Sequence, residues 1–312
     1  MPRSASFLKS GDFMLTEAFY WVLNMSLVGA LMGGVVLGLR SIRGFPRGFA
    51  CALWLAPLVR FWLPFALPGK YSLMALIARF TTHSIPSGGF VYTNVVMGAQ
   101  DYFPLTFKTE ALARVFRTAS FVWIAGFGAT LTGLILLYAL NRMRVRSAER
   151  LFGNVYVSDR VTSPAVYGVF RPRILLPPGM AETEQKYILL HEQAHIRRGD
   201  NLWRMLALVT VCLHWFNPLA WVFLKYFLGD MELACDARAL RSLSDAERKA
   251  YAHALLNCAE QRGALVSSFG GAKLRRRVEG VLSYRPLTLA SALFFAALTA
   301  AVLLTLLTNA QG

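Results

Sequence analysis

Apolar residues run without a charge from Phe19 to Leu39, FYWVLNMSLVGALMGGVVLGL, with Phe19, Tyr20 and Trp21 clustered at one end. A run of that length crosses a hydrocarbon core as a helix, and aromatic residues at its end suit the membrane interface. Residues 118–140 and 286–308 repeat the pattern. A fourth candidate, 48–67, is interrupted by Pro57, Pro64 and Arg60, so Arg60 is expected to face the bundle interior or reach towards the interface. The pattern predicts a multi-pass α-helical membrane protein in three parts. Residues 1–140 form an N-terminal transmembrane region with a loop at 68–117, 141–285 form a domain with its own elements, and 286–312 form a last span and short tail.

Within 141–285 the period changes. NVYVSD, AVYGVF and RILLPP are short, rich in β-branched and aromatic residues, and separated by Ser, Pro and Arg, which predicts a small sheet. ETEQKYILLHEQAHIRRG reads as a helix, with Thr183 as N-cap, acids in its first turn, Arg197 and Arg198 in its last, and Gly199 as the C-terminal stop. The apolar stretch 202–228 has Asn217 and Pro218 near its middle, which predicts two short arms in a hairpin dipping into the membrane face rather than one crossing. SDAERKAYAHALLNCAEQR opens with a Ser244–Glu247 capping box, whereas GALVSSFGGAKLRRRVEG reads as a flexible juxtamembrane linker held by anionic lipid.

Charge adds an orientation. Lys and Arg number 33 against 17 for Asp and Glu, a net +16. Arg40, Arg43 and Arg47 follow the first span, Arg142, Arg144, Arg146 and Arg150 follow the third, and the tail is uncharged. Cytoplasmic loops carry such an excess, so both termini and the 68–117 loop are expected outside and 141–285 in the cytoplasm. The loop's own Lys70, Arg79, Lys108, Arg114 and Arg117 weaken the contrast. No separate basic recognition module is present, so a direct nucleic-acid partner is not expected. Cysteines at 51, 212, 235 and 258 form no CxxC pair, which argues against a disulfide framework or cysteine zinc knuckle. The first eighteen residues lack the pattern of a cleaved signal peptide.

The candidate chemistry lies in LLHEQAHIRRGD. His191 and His195, at i and i+4, project from one helical face and can share a zinc ion, with Glu192 placed to act as a base on water. A catalytic zinc needs a third protein ligand and an open position. Glu232 in MELACDARAL is the candidate, with Asp236 one turn later on the same face to hold a histidine ring N–H. One zinc per chain is expected. His214 is read as a structural or interfacial residue, because a fourth protein ligand would close the site. An edge strand at 165–170, with Val166, Tyr167, Gly168 and Val169, is the candidate for holding an extended peptide, with ordinary core packing the competing reading.

HEQAHIRRGDN, HWFNPLAW, ELACDA and the upstream SPAVYGVFRPRILLPPG together resemble the membrane-embedded zinc metallopeptidases of the BlaR/MecR family, antibiotic-sensing signal transducers, over roughly residues 15–308. The resemblance implies a multi-pass α-helical membrane protein with a cytoplasmic α+β gluzincin-like zinc metalloprotease domain, in the bacterial cytoplasmic membrane. It implies His191, His195 and Glu232 as zinc ligands and Glu192 as base. It also implies a protein or peptide substrate, such as the chain itself, cut near Arg275, Arg276 and Arg277, or a winged-helix repressor. The best-known members continue into an extracellular penicillin-binding sensor, whereas this sequence ends at Gly312, so a signal is expected through the outer loop, the bundle or a separate sensor protein. A homodimer is left open. The competing readings are a constitutive membrane quality-control protease and a non-hydrolytic signalling scaffold in which zinc is structural.

Overall fold

The computed structural model of the chain describes residues 10–42, 44–64, 73, 110–260 and 270–308. Among the described residues, three helices are long and apolar enough to cross a membrane: α1 (Ser10–Arg40), α4 (Glu110–Arg146) and α10 (Leu289–Leu307). α4 and α10 leave large apolar side chains such as Ile135, Leu136, Phe294 and Leu304 exposed, as lipid-facing helices do. The loop expected at 68–117 lies, up to residue 109, largely outside the described residues.

The second candidate span is not one helix. Residues 47–62 form α2 (Arg47–Leu53) and α3 (Leu55–Trp62), broken at Trp54. Pro57 has no N–H to offer the carbonyl four residues earlier, and its ring crowds that turn, so the helix restarts. The pair nevertheless runs the length of the bundle. Arg47 Nη1 donates to the Arg40 carbonyl at the end of α1, and Arg60 donates to the Leu306 and Thr308 carbonyls at the end of α10. Arg60 is thereby buried among helices, away from lipid. Small residues on α1 admit the neighbours: a Cβ at Gly29 would lie 2.8 Å from the Phe61 ring, and one at Gly33 would overlap Phe223.

α6 (Asp200–Leu213) and α7 (Pro218–Ala239) are joined by a break at 214–217. The Asn217 side chain accepts from Leu219 N–H as N-cap, and Pro218 at the first helical position loses no intrahelical bond. The tip is fastened inside the bundle. Asn217 donates to Ser26 Oγ at 2.8 Å, Trp123 of α4 donates to the Leu213 carbonyl at 3.0 Å, and the buried His214 donates to the Phe61 carbonyl at 2.9 Å. Ser26 lies fourteen residues before Arg40 (40 minus 26), about 21 Å down α1. α7 runs on from the tip past residue 228 to Ala239 and so carries Glu232 and Asp236 back to the level of Arg40. One apolar core, including Met32, Leu53, Phe61, Val211, Phe223 and Leu306, ties this hairpin to α1, α2, α3 and α10.

Beyond α4 the chain forms a four-stranded sheet: β1 (Glu149–Phe152), β2 (Val155–Val157), β3 (Ala165–Tyr167) and β4 (Arg173–Leu176), in the order β1-β2-β4-β3. β1 and β2 are antiparallel, β2 and β4 parallel, and β3 closes antiparallel on β4 with Val166 opposite Ile174. β3 is therefore an edge. It is also shorter than the 165–170 strand read from the sequence, because Gly168 turns at φ 89°, a conformation that admits no Cβ beside the Arg171 carbonyl. Val155, Ile174 and Leu176 pack on Ile188 of α5 (Glu182–Arg198) and on Ala254 of α8 (Asp245–Glu260). α5 begins after Ala181 rather than at Thr183, and it ends where predicted, at Gly199 with φ 66°. Part of the expected flexible linker is helix: α9 (Gly270–Leu282) packs Leu274, Val278 and Val281 against Leu240 and Tyr251, while residues 261–269 lie outside the described residues.

Candidate metal centre

α5 is amphipathic in chemistry as well as in shape, and its buried face carries His191, Glu192, Ala194 and His195. The i, i+4 spacing turns both imidazoles towards α7, and their Nε2 atoms lie 3.2 Å apart. Glu232 Oε2 lies 3.6 Å from His191 Nε2 and 3.9 Å from His195 Nε2. Two nitrogens bound at ~2.0–2.1 Å to one tetrahedral ion would be separated by ~3.3 Å, so the histidine pair has the spacing that such an ion requires.

The opposite ring nitrogens are taken. His191 Nδ1 donates to the Tyr251 hydroxyl at 2.9 Å, Tyr251 donates in turn to Asp236 Oδ1 at 2.7 Å, and that carboxylate oxygen lies 3.0 Å from Nδ1. His195 Nδ1 donates to Asp200 Oδ2 at 2.8 Å, and Asp200 also accepts from Cys235 Sγ and Arg198 Nε. Both rings are thereby oriented with their Nε2 atoms facing Glu232. Glu192 is buried beside them, and its carboxylate has no hydrogen-bonding or ionic partner among the described residues.

The electrostatics favour charged side chains here despite burial. Desolvation pulls Glu232 towards neutrality, yet His191 and Arg277 outweigh it and hold its carboxyl well below the usual range. Desolvation likewise opposes ionisation of Asp236, which Arg277 and His191 reverse. For His191, burial and Arg277 disfavour protonation, but Asp236 and Glu232 prevail and its pKa is raised to about 9. Burial and the neighbouring Asp200 push the Cys235 thiol up, so it stays protonated as a donor.

The model of the family described as BlaR1 peptidase M56 matches residues 20–280, most of the chain and all of this site. The chain belongs to that family. Its relatives include the methicillin resistance mecR1 protein of Staphylococcus aureus, 29% identical over 129 residues that make up 39% of this chain and 22% of that protein. The regulatory protein BlaR1 of Bacillus licheniformis is 34% identical over 102 residues, 32% of this chain and 17% of that protein. BlaR1 of Staphylococcus aureus is 26% identical over 132 residues, 39% of this chain and 23% of that protein. The matched segment spans about a fifth of the length of these relatives.

In this chain the histidines, Glu192 and Glu232 line a cavity of about 250 Å³, walled on one side by Pro164, Ala165 and Val166. Val166 thus reaches the site. Tyr167 completes the strand, and Gly168 and Val169 lie in the turn beyond it, where the Gly168 carbonyl accepts from Asn201 at 2.7 Å. Arg275 and Arg276 lie exposed on α9, Arg275 paired with Glu279. Arg277 points the other way, into the centre, with Nη1 3.4 Å from Glu232 Oε2. Arg204 of α6 reaches the far oxygen, Oε1, at 3.6 Å. His214, by contrast, is spent on the Phe61 carbonyl and is not among the converging donors. Asp200, Tyr251 and Arg204 escaped the sequence reading, and Arg277 was read there only as part of a region that could be cut, not as a neighbour of the donors. The i, i+4, i+7 spacing of Leu274, Val278 and Val281 was the available sign that the basic run is a packed helix.

Proposed function

We propose that this M56 peptidase is a membrane-embedded, gluzincin-like zinc endopeptidase that hydrolyses peptide bonds at the cytoplasmic face, in regulated signalling. The observation that carries the reading is the convergence of two Nε2 atoms and Glu232 with both Nδ1 atoms tied to carboxylates. Two nitrogens and one carboxylate with room for a further ligand are the donor set of a catalytic zinc, one per chain. When bound, zinc supplies Lewis-acid chemistry, polarising a carbonyl and making water acidic enough to lose a proton near neutral pH. Glu192, buried and unpaired, accepts that proton and returns it to the leaving amine.

β3 holds the substrate. The Val166 carbonyl faces Asn201 rather than β4, and in an antiparallel strand the N–H of the same residue points to the same side, so an extended peptide can add to this edge next to the catalytic carboxylate. The cytoplasmic placement is supported by the run of basic residues Arg40, Arg43 and Arg47 after the first span, of which Arg40 also holds α7 through Asp230. A hairpin fastened at Ser26 and Trp123 then dips into the bilayer, and the metal lies close to its surface.

The substrate reading is cleavage of the chain itself or of a transcriptional repressor, in keeping with relatives named regulatory protein BlaR1. A cut at Arg275–Arg277 would require α9 to unwind and Arg277 to leave the centre, and the stretch before residue 270 lies outside the described residues. The test is mass-spectrometric mapping of new protein N-termini in cells expressing wild type or Glu192→Ala, with zinc content measured on both purified proteins. Glu192-dependent termini with retained zinc support the reading. Unchanged termini together with unimpaired signalling would favour the scaffold role. Full zinc stoichiometry in His191→Ala or Glu232→Ala would refute the ligand set.

A further inference from the structure

Two carboxylates, Glu192 and Glu232, line one cleft, and a third, Asp236, is buried behind His191, 3.0 Å from its Nδ1. Like charges buried together stay ionised only if a counter-charge is built in. Arg277 brings it from outside the helices that carry the donors. Its Nε donates to Asp236 Oδ2 and its Nη2 to Asp236 Oδ1, both at 2.8 Å, the fork geometry that only arginine offers. Its Nη1 faces Glu232.

Its relation to His191 is the telling contact. Nη2 lies 3.1 Å from Nε2 and 3.4 Å from Nδ1 of the same ring. A donor on the lone-pair axis of one ring nitrogen would be far from the other, so near-equal distances put the guanidinium over the ring face. The in-plane direction of Nε2, from which a metal would displace a proton, therefore remains open while a positive charge sits beside it. Arg277 neutralises the acids without occupying the direction in which His191 offers its electrons.

Building on the ligand set proposed above, we propose that Arg277 is a positioning residue, a resident counter-cation that keeps His191, Glu232 and Asp236 converged before the metal arrives. Zinc supplies the same charge compensation once bound. Loss of the guanidinium therefore falls chiefly on the metal-free protein.

The test is thermal unfolding of the full chain in lipid nanodiscs, stripped with a chelator or saturated with Zn²⁺, for wild type, Arg277→Gln, Arg277→Lys and the exposed control Arg275→Gln. The stripped Arg277→Gln protein should melt on the order of 5 °C below stripped wild type, while the zinc-saturated forms melt close together. Arg277→Lys, which keeps a charge but loses the fork, should fall between, and it serves if the glutamine variant does not fold. Arg275→Gln should match wild type. Equal melting of stripped Arg277→Gln and wild type would overturn the proposal, and so would an equal drop in both forms, which marks ordinary packing. The ligand reading fails separately, if His191→Ala and Glu232→Ala keep the wild-type rise in melting temperature on adding Zn²⁺.

Discussion

Asp200→Asn keeps the shape of the side chain and removes its charge. Oδ2 accepts from His195 Nδ1 and Cys235 Sγ, and Oδ1 accepts from Arg198 Nε at 3.1 Å. An asparagine that keeps its carbonyl on the His195 side must turn its NH₂ against the Arg198 guanidinium, donor against donor, stranding a part-buried charge at a cost of about 1–3 kcal/mol. If the carbonyl turns to Arg198 instead, His195 loses its acceptor and its tautomer. In either orientation the bond that orients His195 loses its charge assistance, which roughly halves its strength. Losses of this kind next to a metal ligand weaken binding about 10- to 100-fold, equivalent to about 1.4–2.7 kcal/mol. The assay is competition for Zn²⁺ against a fluorescent chelator, with the purified full chain in detergent and wild type in parallel. An affinity within about twofold of wild type would refute the claim that Asp200 sets the ring of a zinc-binding His195.

Asp230→Ala strands Arg40 and removes the acceptor of Trp54 Nε1, so it should cost about 3–5 kcal/mol by denaturant unfolding, whereas Arg40→Met with Asp230→Leu together should cost far less. Gly33→Ala forces a methyl into the Phe223 ring and should lower stability by about 1–3 kcal/mol; an unchanged melting temperature would mean that α1 and α7 do not pack as described. Val166→Pro removes an outward N–H from the β3 edge and should slow peptide hydrolysis about tenfold or more with zinc content unchanged. Equal turnover would place the substrate elsewhere.

The parts of this site that were legible in the sequence are those carried by one helix. His191 and His195 share a face because four residues make about one turn, and Glu232 and Asp236 repeat the device on α7. Gly199 was legible because a left-handed C-cap favours glycine, whereas Ala181 at the other end of α5 has no side chain to signal its capping position. The remaining contacts are tertiary. Tyr251 meets His191 across 60 residues and Arg277 meets it across 86, separations over which no local pattern operates. Asp200, directly after the helix stop, carries no local pattern that marks it, and only the tertiary fold sets it against His195. In the second candidate span the proline read in the sequence is where the hydrogen-bond ladder fails, so the segment forms two helices rather than one.

α7 has a mechanical property that follows from two residues on it. Asp230 is gripped by Arg40 and Trp54 from the membrane bundle, and Glu232 follows two residues later. At about 100° per residue the two carboxylates leave the helix on nearly opposite sides, so α7 is a shaft held by the bundle on one side and reaching into the histidine pair on the other. A twist of ~20° swings a side-chain terminus at ~5–6 Å radius through about 2 Å, and a zinc–carboxylate bond is itself only ~2.0–2.2 Å long. Under the ligand set proposed above, torque applied to α1 or α2 at the membrane would, without a hinge, decide whether the third donor is within bonding reach.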